Sequence, residues 1–231
     1  LGSLAVLLMP EITQAHIEGQ TARLNALLDR MLRLTGYFSA LAGTLFWVWG
    51  RPLAQLLYHS PEAGFYLEIL APAMPLMYLE SMVDGAMKGI GEQKAAFRYS
   101  VWDAVLRIGG VALLLPRYGM RGFLAVILLS SFYTCVANTG RLLLSSGTGH
   151  AFRRWLGAPL LAAAAAGAAG RGVRRSLAGF PAQELAEQLA VLTAGGTVTA
   201  IVFLLAALPL GLWEEVRAVL RQAKTGKNRG K

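Results

Sequence analysis

The sequence has little charge, one cysteine and three histidines. Only 15% of its 231 residues are Asp, Glu, Lys or Arg, against about 25% in a soluble domain. A single thiol, Cys135, excludes an internal disulfide and has no metal-ligand spacing around it; set in an apolar run, it reads as a small buried or lipid-facing residue. His16, His59 and His150 are scattered near the ends of apolar runs and read as ordinary interfacial residues. There is no phosphate-binding glycine loop, zinc spacing or nucleophile elbow. Gly89-Ile90-Gly91 lacks the third glycine and preceding strand of a dinucleotide fingerprint, and reads as a helix end with a tight turn. These absences point away from soluble enzymes, and no cofactor is expected. No apolar run alternates with period two, which excludes barrel strands.

What is there is apolar. The chain is 55% hydrophobic, with mean hydropathy +0.48, a membrane-protein composition. It starts at Leu1 inside an apolar run, so the sequence is expected to be the C-terminal part of a longer chain. A bilayer core takes about 20 helical residues. On that measure, 1–10 looks like the end of a span, and 35–58, 64–89, 95–115, 122–144, 155–169 and 185–213 like further spans. The fold class is thus all-α, a polytopic helical membrane protein with about six full spans and part of another. Phe46, Trp47 and Trp49 suggest an interfacial aromatic belt. In 19–34, Leu24, Leu27, Leu28 and Met31 form one stripe, as in an amphipathic helix that lies on the membrane or leads into the next span. The last segment, 214–231, is basic and expected to be a tail.

The net charge is +9. The basic residues sit between apolar runs and in the tail, so topology and anionic lipid headgroups explain them better than nucleic acid does. With the turn after the first span in the cytoplasm, the cytoplasmic side holds 15 Lys and Arg and the outer side 6. The tail is then cytoplasmic, in a multi-pass protein of the cell membrane. Arg171, Arg174 and Arg175 run against the bias and put the span count around them in question.

The stretch 71–110 carries charge inside apolar segments. Glu80, Asp84 and Lys88 follow at i, i+4, i+8 and share a helix face; Asp103 and Arg107 repeat that spacing. An ionisable group within a span costs about 2.5–3.5 kcal/mol and is a functional-site hypothesis by default. Glu80, Asp84 and Arg107 are the main candidates for lining a substrate cavity, with Lys88 and Asp103 behind them. Two plainer readings stand beside this: Lys88 neutralises Asp84 at the interface, and Asp103 with Arg107 is a helical ion pair. An arginine in a cavity suits phosphate, because its planar fork binds phosphate oxygens bidentately. Pro72 and Pro75 permit a kink, while Gly109, Gly110 and the run 162–166 permit close helix approach.

Three segments carry a family resemblance: MPEITQAHIEG with RLNALLDRMLRLT, then GRPLAQLLYHSPEAGFYLEILAPAMPLMYLESMVDGAMKGIGEQ, then LLLPRYGMRGF. Across 1–141 the chain resembles the C-terminal half of the multidrug/oligosaccharidyl-lipid/polysaccharide exporter superfamily, most of all its branch of stage V sporulation protein B and related polysaccharide biosynthesis proteins. The resemblance implies two six-helix lobes around a central cavity. The residues 1–146 would belong to the second lobe, 153–213 would be two additional helices, and the first lobe would be a missing partner of the same protein. It implies flipping of a lipid-linked saccharide, such as a peptidoglycan precursor, by alternating access. A drug or cation antiporter of the same superfamily and a non-transporting scaffold for envelope synthesis remain the alternatives.

Overall fold

A computed structural model describes residues 2–146, 153–177 and 185–212. Among them are eight α-helices and no strand: α1 (Gly2–Ile17), α2 (Thr21–Tyr58), α3 (Pro61–Leu70), α4 (Met74–Gly89), α5 (Gln93–Tyr118), α6 (Met120–Ser146), α7 (Ala158–Leu177) and α8 (Leu185–Ala207). The all-α expectation holds. The tail, 214–231, lies outside the described residues, as does His150.

The 38-residue α2 is the central post. Its Leu24, Leu28 and Met31 are buried, so the stripe at 19–34 leads into the span that follows. Next to it, α3 and α4 run back antiparallel, with Gly64 on Arg51, Gly50 on Leu67 and Gly43 on Ala71. Between α3 and α4 the chain takes a 3-10 turn over Ala71–Ala73. Pro72 and Pro75, lacking amide hydrogens, cannot continue the α-helical ladder there, so the helix is interrupted where the sequence permits a kink. A Cβ on Gly43 would come within 2.7 Å of the Ala71 carbonyl oxygen, so α2 can sit against the broken turn only where it has no side chain.

Gly89 ends α4 and Gly91, at φ +80, makes the turn, as expected of Gly-Ile-Gly. The α5–α6 hairpin turns on Gly119, whose φ of +59 and ψ of −142 suit glycine alone. Gly110 meets Val126 in that hairpin, and Gly109 faces open space. Of the alanine run, Ala162 and Ala166 are fully buried, in a cluster with Tyr37 and Phe203.

In register, α7 runs parallel to α2. Gly36 abuts Trp155, Gly167 abuts Trp47 and Gly170 abuts Val48. The next helix, α8, runs back, with Trp49 Nε1 donating to Thr199 Oγ1 at 3.0 Å and Tyr37 Oη to the Leu210 carbonyl at 2.7 Å. The aromatic belt is therefore corrected in part: Trp49 is 5% exposed, and Trp47 and Trp49 dock α7 and α8 onto α2. The span expected at 155–169 is longer, since α7 continues to Leu177.

Among the described residues, four helical stretches are long and apolar enough to cross a membrane: Gln93–Tyr118, Met120–Ser145, Trp155–Leu177 and Glu187–Leu212. This lowers the count read from the sequence. The α2 stretch 35–58 is diluted by Gly, Ser, Thr and the pair Arg51-Pro52, and the 3-10 break leaves α3 and α4 short as separate helices.

Candidate functional site

The charges singled out in 71–110 lie on α4 and α5 and meet the polar face of α6. Arg107 of α5 lies 3.0 Å from Asp103 one turn back. Both also meet Ser130 of α6. Arg107 donates to Ser130 Oγ from Nε at 3.2 Å and from a terminal nitrogen at 3.0 Å, and the Ser130 hydroxyl donates to Asp103. The three side chains close a ring through Nε and one terminal nitrogen of Arg107, the Ser130 hydroxyl and both Asp103 oxygens. Glu80 of α4 lies against the Thr134 side chain, within electrostatic reach of Asp103, Arg107 and Asp84. Asp84 is paired with Lys88 at 2.6 Å.

Of the sequence candidates, Glu80, Asp103 and Arg107 thus converge, with Asp84 nearby. Lys88, 52% exposed at its side chain, stands at the helix end as the plainer reading had it. The side chain of Asp103 is 16% exposed and that of Arg107 44%. Arg107 also borders a groove of about 530 Å³ lined by Ala104, Ile108, Val111, Ala112 and Phe123. A guanidinium at the rim of an apolar groove can hold an anionic head while the walls take an apolar chain.

Sequence reasoning missed the α6 half of this seam. Ser130, Thr134 and Asn138 recur at i, i+4, i+8 within an apolar run, a signal as regular as the one that marked α4. The Asn138 Oδ1 atom is buried and has no hydrogen-bond partner among the described residues.

Two ionic clasps also escaped notice, because their partners are far apart in sequence. At one end, the Arg141 guanidinium on α6 binds Glu92, in the α4–α5 turn, at 2.9 and 3.0 Å, and Ser145 donates to it at 3.0 Å. These hydrogen bonds, Arg141's above all, hold the Glu92 carboxyl below its usual range. At the other end, Arg51 lies 2.8 Å from Glu68, and Arg174 donates to Glu68 at 3.3 Å and to the Val48 carbonyl at 2.7 Å. Arg171 lies 3.6 Å above the Trp47 ring, a cation–π contact. The arginine group that ran against the charge bias is therefore engaged at the α2–α3 end, beside Arg51.

Long apolar helices with charges gathered along one internal seam define a polytopic helical membrane protein. Residues 4–113 match the family model MatE, which bears out the exporter-superfamily resemblance over that segment. The chain is 27% identical over 144 residues to the sporulation protein YkvU of Bacillus subtilis (strain 168). That alignment covers 62% of this chain and 31% of the relative, so the chain spans about a third of the curated relative it matches. No solved structure matches it at a significant level.

Proposed function

We propose that the chain is part of a membrane transporter that flips a lipid-linked oligosaccharide or peptidoglycan precursor across the cytoplasmic membrane by alternating access. The observation that carries this reading is the Asp103–Arg107–Ser130 ring with Glu80 beside it, set in apolar helices and bordering an apolar groove. A lipid-linked saccharide has an anionic phosphate between an apolar chain and a polar sugar. Arg107 suits the phosphate. The broken α3–α4 junction supplies a break about which one set of helices can move against another. In this reading residues 1–146 form most of the second lobe of the transporter, 153–213 are two additional helices, and the first lobe supplies the other wall of the cavity. The tail lies in the cytoplasm.

The test is exposure of the lipid-linked precursor on the outer leaflet in cells lacking redundant flippases. Removing the full-length protein should abolish exposure, and Arg107→Ala should reduce it. Unchanged exposure without the protein would exclude the activity. Normal exposure in Arg107→Ala, Glu80→Ala and Asp84→Ala alike would exclude only the site.

A drug or cation antiporter is the second reading. One observation favours it: the seam holds three carboxylates, Glu80, Asp84 and Asp103, against two cations, Lys88 and Arg107. Efflux of a cationic dye that fails in Glu80→Gln while precursor exposure stays normal would favour it over the first.

A further inference from the structure

We infer that Arg51, Arg171 and Arg174 form a binding site for a phosphate-bearing group where the C-terminal turns of α7 pack beside α2 and α3, away from the seam above. Charge accounting motivates this. Two guanidinium groups, of Arg51 and Arg174, share one carboxylate, Glu68, a third, of Arg171, lies on the neighbouring Trp47 ring, and Arg175 adds an exposed fourth on the same helix. Glu68 takes only the Arg51 Nε edge and one terminal nitrogen of Arg174. The terminal nitrogens of Arg51, and all those of Arg171, have no hydrogen-bond partner among the described residues. Three guanidinium groups against one carboxylate leave an excess of positive charge, which a bound anion would offset.

The backbone holds these groups in place. Trp47 and Arg51 are one turn apart on α2, and α7 runs parallel beside them, which brings Arg171 over Trp47 and Arg174 to Val48 and Glu68. Gly64 lets α3 lie directly on the Arg51 stem. The Trp47 ring lies 3.6 Å from the centre of the Arg171 guanidinium, and a ring accepts no N–H···O bond, so the donors of this exposed residue stay available. Bidentate donors with a free edge are suited to phosphate oxygens. The depth fits as well. Arg174 is about 28 Å along the helix from Trp155, close to the roughly 30 Å of a hydrocarbon core. Trp155 in turn donates to Asp29 at 2.7 Å, and Asp29 pairs with Arg33 at 3.0 Å. One charged end therefore lies about a bilayer thickness from the other, and the arginines stand at headgroup level.

The test is native mass spectrometry of the full-length protein in detergent, titrated with phosphatidylglycerol, phosphatidylcholine or inorganic phosphate. Wild type should retain phosphatidylglycerol in preference to phosphatidylcholine. Arg51→Gln with Arg171→Gln should weaken phosphatidylglycerol binding about tenfold or more, and Lys94→Gln, exposed at the start of α5 at the other end, should not. Inorganic phosphate that binds and competes with the same arginine dependence supports the site with a free phosphate as its ligand. Phosphate that neither binds nor competes, with phosphatidylglycerol retained, supports a lipid headgroup. Equal retention of both lipids with no phosphate binding overturns the proposal, as does unchanged binding in a folded double variant. Should the double variant not fold, Arg175→Gln, exposed and without a partner among the described residues, replaces it. A fall in phosphatidylglycerol binding then supports the site and none overturns it.

Discussion

The Glu92 carboxylate, in the α4–α5 turn, receives the Arg141 guanidinium from the end of α6 at 2.9 and 3.0 Å, across 49 residues of sequence. The pair ties the start of the α5–α6 hairpin to its finish, so the two helices close into a loop anchored at α4.

The pH dependence of that clasp follows from the sign of its shift. The folded Glu92 carboxyl titrates below its ordinary value of 4.5. Stability from such a group is fully present above the unfolded pKa and is lost as pH falls through the folded one. The difference in melting temperature between wild type and Glu92→Gln should therefore be constant from pH 8 to about 6 and shrink only in acid, below about pH 4.5. A difference that vanishes between pH 7 and 6 would show that another group sets it.

The Asp103–Arg107 pair should be worth more as a pair than as its parts. Removing one partner leaves a charge without its counterion in an apolar helix. Asp103→Asn or Arg107→Gln alone should destabilise the protein by about 1–3 kcal/mol, and the double substitution by less than the sum. Unfolding in mixed micelles measures all three. Strict additivity would mean that the ion pair contributes nothing.

Ser130→Ala removes the hydroxyl that both Asp103 and Arg107 use, while leaving them paired with each other. We expect a loss of about 0.5–1.5 kcal/mol, by the same assay. If α5 and α6 are also held in register by this ring, spin labels placed on the two helices should show a broader distance distribution in the variant.

Gly195 on α8 packs directly against the Trp49 ring. Gly195→Ala should destabilise the protein by about 1–3 kcal/mol, as overpacking does, although alanine favours the helix. Trp49→Phe removes the fused six-membered ring that the new methyl would meet, so the penalty of Gly195→Ala should fall in that background. An equal penalty in both backgrounds would place the clash elsewhere.

Helix content, the helix break and the α4 and α5 ion pairs were legible in the sequence because they depend on neighbours within one turn. Asp84–Lys88 and Asp103–Arg107 follow from i, i+4 spacing alone. Glu68 with Arg51 and Arg174, or Glu92 with Arg141, depend on which helices lie side by side, and composition carries no trace of that. Trp49 misled for the same reason. A tryptophan near a span end suits either lipid headgroups or a groove between helices, and only the neighbouring Thr199 and Gly195 decide between them. The alternation of spans did foresee one long-range fact: it assigned Arg51 and Arg174 to the same side, against the charge bias, and they share Glu68.

An unbroken helix the length of α2 acts as a lever. At 1.5 Å per residue its 38 residues reach about 57 Å. Near one end it carries Asp29, bonded to Trp155, and toward the other Arg51, bonded to Glu68. A rod about 57 Å long that tilts by about 10° carries its far end roughly 10 Å sideways. A tilt of α2 at the Asp29–Trp155 contact is thereby carried along the rod to the Arg51–Glu68 contact.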